Sequence, residues 1–132
     1  MLRAALVNMP FADFNRPPIG LAQLRSVLQA SLPGRAEATI FHLNLDFAQR
    51  LGLPAYAIIS NNVDAMLSGT GDWLFRAVAF PQAEDNTEAY FRRFPRTFGA
   101  HQKKMQGLLV AFRQGLPQFL GCLLYTSPSP RD

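Results

Sequence analysis

The chain has 132 residues, 48% hydrophobic and 17% charged, a composition that suits one folded domain and excludes a disordered tail. Thirteen basic residues against nine acidic leave a net charge of +4. Only Arg92, Arg93, Arg96, Lys103 and Lys104 come close together, and without an aromatic-plus-basic motif this stretch is expected to be a solvated helix face, not a nucleic-acid footprint. The single cysteine, Cys122, excludes an internal disulfide and a cysteine-based metal site. With no apolar run of about 18 residues and no basic, apolar leader, no membrane partner is expected and a cytoplasmic location is.

In chain order, residues 3–9 (RAALVNM) form an apolar run closed by Pro10, which has no backbone donor to continue a ladder. A buried parallel strand is predicted there. Residues 10–18 are rich in turn formers, and Pro17 and Pro18 stand where prolines are tolerated at a helix start. Ile19, Leu21, Leu24, Val27, Leu28 and Leu32 then follow helical spacing up to Pro33 and Gly34. Residues 37–45 (EATIFHLNL) return to strand character, so the order strand, helix, strand predicts a right-handed parallel crossover and an α/β fold.

Beyond this unit the β signal stops. Residues 45–52, 54–67, 72–80, 87–94 and 100–119 all read as helices, separated by residues 68–71 (SGTG) and 81–86 (PQAEDN). Two parallel strands do not complete a sheet that needs cover on both faces, so further strands are expected downstream and the helical stretch is expected to be an insertion.

Little catalytic chemistry is visible. No glycine-rich phosphate loop follows the first strand, and Gly69-Thr70-Gly71 reads as a turn between helices. His42 and His101 lack partner ligands; His42 is expected to be a hydrogen-bonded strand residue and His101 to be solvated. The carboxylates are scattered, so neither catalytic residues nor metal ligands are assigned. The informative segment is the loop after the first strand, residues 8–14, leading into the helix at Ile19-Gly20-Leu21. Ligands of open α/β sheets bind outside the carboxyl ends of the strands, and the apolar side chains of this loop suit a large, largely uncharged ring surface. Gly20 allows close backbone approach, although simple helix–strand packing would explain it equally well.

These residues carry a resemblance. The stretches ALVNMPF (5–11), PPIGLAQLRSVLQA (17–30), HLNLDFAQRLG (42–52) and GDWLF (71–75) occur in the order seen in the N-terminal region of radical S-adenosylmethionine C-methyltransferases that mature ribosomally made peptides, a cobalamin-dependent class. The match covers most of residues 1–80 and is weak over 81–121. The resemblance implies a partial Rossmann-like cobalamin-binding domain over residues 1–121, with Met9, Pro10, Phe11, Ile19, Gly20, Leu21 and Asn44 facing the cofactor. It further implies a downstream radical domain of the same chain as partner, holding an iron–sulfur cluster and S-adenosylmethionine, and a precursor peptide as substrate. The cluster and S-adenosylmethionine would generate a radical that abstracts hydrogen from the peptide, and methylcobalamin would supply the methyl group. The Asp-x-His-x-x-Gly motif that ligates cobalt in many cobalamin domains is absent, since Ile40 stands two residues before His42. Trp73 and Phe75 of the last stretch are expected to be core.

Residues 122–132 (CLLYTSPSPRD) break with the rest of the chain and are expected to form an irregular tail. The string resembles the translation of a sequencing-library adapter, which implies a non-native segment and an N-terminal fragment of a longer enzyme. The competing reading is a non-catalytic binding module whose helices between residues 54 and 120, with Phe91, Phe94 and Phe98, hold a peptide or protein partner.

Overall fold

The computed structural model describes the backbone of residues 1–126 and the side chains of residues 1–123. Contacts cluster into two compact units, Met1–Gly52 and a second beginning at Leu53. The first is α/β and the second entirely helical among the described residues.

In the first unit, strand β1 (Leu2–Asn8) is followed by helix α1 (Ile19–Ser31), strand β2 (Ala36–His42) and helix α2 (Leu43–Leu51). The strands pair in parallel, with Leu6 opposite Ile40 and Asn8 opposite His42. The expected strand–helix–strand crossover is therefore present, within a residue or two of its predicted limits. One boundary differs: β2 stops at His42, and Leu43 and Asn44 open α2 instead of ending the strand. Asp46 in the first turn and Arg50 in the last complement the dipole of this helix.

The apolar stripe of α1 is only partly covered. Leu21, Leu28 and Leu32 are half-buried, whereas Ile19, Leu24 and Val27 are exposed, and no residue of the helix is fully buried. The physical reason is width: two strands stand about 4.8 Å apart, and a helix with its side chains is about 10 Å across, so it overhangs the pair. The opposite sheet face is open as well. By strand alternation it carries Ala5 and Val7 of β1 with Thr39 and Phe41 of β2; Ala5 and Thr39 are exposed, Val7 and Phe41 half-buried. The core of this unit is small, centred on Ala38, Phe47, Ala48 and Leu51.

The second unit contains helices α3 (Leu53–Asn61), α4 (Val63–Leu67), α5 (Thr70–Ala79), α6 (Thr87–Arg93) and α7 (Gln102–Thr126), with a 3-10 turn at Gly99–His101. The helix expected over 54–67 is broken in two at Asn62, whose side-chain oxygen accepts from the amides of Asp64 and Ala65 and so caps α4. Gly69 caps α5 at φ +64°, a left-handed conformation that favours glycine. Helix α7 contains Pro117, which removes one intrahelical donor, and it runs on through residues 122–126. That corrects the expected irregular tail over residues 122–126, a stretch that holds no proline or glycine to break the helix. Residues 127–132 lie outside those described. Among the described residues no helix is long and apolar enough to cross a membrane.

The interior of the second unit is aromatic. Trp73 stacks on Tyr90 at 4.8 Å and meets Phe91 edge-on at 5.1 Å, and Tyr90 lies 5.2 Å from Phe94. Leu74, Leu109 and Leu116 are fully enclosed. Trp73 is thus core, as expected, while Phe75 is half-buried.

Candidate functional site

The loop after β1 is a tight turn. The amide of Ala12 donates to the Met9 carbonyl at 3.2 Å, which puts Pro10 and Phe11 at the two central positions. Phe11 has φ +68°, the only non-glycine residue with positive φ among those described. Proline first and positive φ second is the type II pattern, where glycine is the usual second residue. The Phe11 ring compensates by packing edge-on against Phe47, centroids 6.5 Å apart at 73°. The loop then continues through Asp13, whose carboxylate accepts from the Asn15 amide at 2.8 Å and pairs with Arg16 at 3.3 Å. A strained residue at the carboxyl end of a strand is where functional loops commonly store strain.

The helix that follows starts in the open. Ile19 is 67% exposed and Met9 63% exposed. A Cβ built on Gly20 would meet nothing within 4 Å. Packing against the strands therefore does not explain that glycine. A groove of about 840 Å³ lies along the same helix, lined by Pro17, Pro18, Ile19, Val27, Ile40 and His42, with Gln23, Arg25 and Ser26 among its polar lining.

The predicted residues are not gathered in one place. Of the seven, only Ile19 lines this groove. Met9 and Gly20 are exposed, Pro10 and Leu21 half-buried, and Phe11 is turned to Phe47. Asn44, expected at the end of the second strand, is the second residue of α2; it is 2% exposed and its Oδ1 has no hydrogen-bond partner. His42, expected to be hydrogen-bonded within a strand, is exposed at the end of β2 and lines the groove, because the chain turns into α2 immediately after it. His101 is exposed, as expected. The rest of the lining, Pro17, Pro18, Val27, Ile40 and His42 among it, was not expected at the site. Alternation along β2 offered one signal, since Ile40 and His42 share a face, but the overhang of α1 was not readable from spacing.

This set fits a broad apolar group better than a charged one. Exposed Ile19 offers apolar contact with open room at Gly20 beside it, and Met9 is a separate exposed apolar side chain after β1; Asn44 Oδ1 has no partner but is enclosed. Among the described residues no three His, Cys, Asp or Glu side chains gather to hold a metal ion. Of the aromatic residues named for a peptide-binding helical module, Phe98 is 5% exposed, while Phe91 and Phe94 are half-buried and touch the Trp73–Tyr90 pair. The five clustered basic residues are all exposed.

Fold and site together define an α/β chain with an apolar groove at the carboxyl edge of a parallel strand pair. No protein-family model, no curated protein and no solved structure matches the chain.

Proposed function

We propose that residues 1–52 are the Rossmann-like, cofactor-binding part of a cobalamin-dependent radical S-adenosylmethionine C-methyltransferase that acts on a ribosomally made peptide. The observation that carries this reading is the uncovered start of α1, exposed Ile19 beside a glycine with open space where its side chain would be, together with exposed Met9 directly after β1, at the carboxyl edge of parallel strands. Bound cobalamin would supply a transferable methyl group. Ile19 and Gly20 would lie against the corrin surface, with Met9 offering a further exposed apolar contact from the loop after β1. Phe11, pinned to Phe47, would hold the loop in register for that contact. The radical domain and the precursor peptide belong to this proposal as partners.

The test is retention of hydroxocobalamin on gel filtration, read by corrinoid absorbance co-eluting with the chain. Retention is expected for the natural sequence and should fall at least about tenfold in Gly20→Val or Ile19→Glu, both of which fill or charge an open surface without touching the core. Absence of co-eluting corrinoid, or equal retention by both variants, overturns the assignment.

A further inference from the structure

The second unit contains a built cation site that the cofactor reading does not use. Arg113 projects from α7 and is 7% exposed. Its guanidinium carbon lies 4.5 Å over the centroid of Trp73. Nη1 donates to Asp85 Oδ1 at 2.9 Å and to Thr87 Oγ1 at 2.8 Å, while Nη2 makes only a long 3.4 Å contact with Asn86 Oδ1. The Thr87 hydroxyl donates to the same Asp85 oxygen at 2.8 Å. Asp85 therefore engages one Nη group through one oxygen, short of the two-bond pairing that arginine and carboxylate favour. Arg113 Nε and Trp73 Nε1 are both buried without an acceptor, leaving two orphan donors in one stacked pair.

A cavity of about 250 Å³ adjoins this arrangement, lined by Ala77, Asp85, Thr87, Val110, Arg113 and Gln114. Its walls combine two small apolar side chains with a guanidinium, a hydroxyl, a carboxamide and the Asp85 carboxylate itself. The Asp85 side chain is 71% exposed, against 7% for Arg113, and residues 80–85 are all exposed, so the anion can leave while the cation stays.

We propose that this cavity binds a small organic carboxylate, with Asp85 acting as an internal stand-in that the ligand displaces from Arg113. The ligand carboxylate takes the Nη1 position now held by Asp85 and offers its second oxygen to Nη2, whose present contact with Asn86 is long. Its short carbon body lies against Ala77 and Val110, and Gln114 is placed to read a polar substituent. A planar carboxylate reproduces the group already accommodated there.

The chain carries its own reporter, because Trp73 is its only tryptophan and sits beneath the guanidinium. Propionate titrated at constant ionic strength should change Trp73 fluorescence saturably, whereas chloride and inorganic phosphate should not. In Asp85→Asn, which removes the competitor from an exposed position, half-saturation should move to about tenfold lower propionate. The Arg113→Lys variant should lose the response; as this substitution in the interior can also unfold the unit, Gln114→Leu serves as a second, surface-side arm expected to weaken it. The proposal is overturned if phosphate or chloride gives the same response as propionate. It is equally overturned if no saturable response appears, or if Asp85→Asn leaves half-saturation unchanged.

Discussion

The hydroxyl of Tyr90 lies 2.9 Å from Thr70 Oγ1, twenty residues earlier in the chain, and both side chains are buried. Ser68 completes a triangle: its hydroxyl is 3.1 Å from Thr70 Oγ1, accepts from Tyr90 at 3.3 Å and donates to the Ala65 carbonyl at 3.1 Å. This closed set ties the first residue of α5 to α6 and explains why residues 68–71, a turn by sequence, are held inside the unit.

Removing one member should leave the others short of a partner. Tyr90→Phe keeps the ring stacked on Trp73 and is expected to cost about 1–2 kcal/mol in urea unfolding, the range for an unmet buried hydrogen bond. The double variant with Thr70→Val should cost less than the sum of the two single changes; strict additivity would show that the hydroxyls are not coupled.

Trp73 separates two contributions. Trp73→Ala opens a cavity under Arg113 and beside Tyr90, and should cost about 3–5 kcal/mol. Trp73→Phe preserves part of the aromatic packing and also deletes the unpartnered Nε1 donor, so denaturation should show a distinctly smaller loss.

At Phe11 the usual ranking of substitutions should invert. Alanine keeps the unfavourable positive φ and loses the contact with Phe47; glycine loses the same contact but relieves the backbone. Phe11→Gly should therefore be more stable than Phe11→Ala by about 1 kcal/mol, measured by thermal or urea unfolding. Equal stability would mean that the turn relaxes out of the left-handed region.

Asp85 gives a pH prediction. Its carboxyl is held below the ordinary carboxylate value, chiefly by the hydrogen bond from Thr87 and further by the Arg113 charge. A lowered folded-state pKa means that its stabilisation is fully present above the unfolded value, near 4, and is lost as pH falls through the folded value. The stability difference between the natural chain and Asp85→Asn should accordingly be constant at neutral pH and shrink on acidification below about pH 4.

Much of the architecture was legible in local pattern. The run at 3–9, the proline pair before Ile19 and the β-rich stretch at 37–45 located both strands and the crossover, because strand and helix periodicities and chain breakers act over a few residues. The limits that failed were those decided by capping. Asn62 cuts the predicted 54–67 helix by accepting from two amides, and residues 43–44 join a helix as soon as the β ladder runs out at His42. For the candidate site, the strand-end loop was readable from position, but its geometry was not. Nothing in the sequence says that Phe11 occupies a glycine position of a type II turn, or that Asn44 is buried while Met9 and Ile19 stay exposed.

By itself, then, the sequence determined the α/β class, the parallel crossover, the helical second half and the scarcity of catalytic groups, all consequences of composition and short-range spacing. Tertiary structure alone decided which apolar residues remain uncovered and which polar ones meet. The overhang of α1 depends on how many strands lie beneath it. The junction of Arg113 with Trp73 and Asp85 depends on α7 returning past α5 and the loop before α6, over separations that no local pattern encodes.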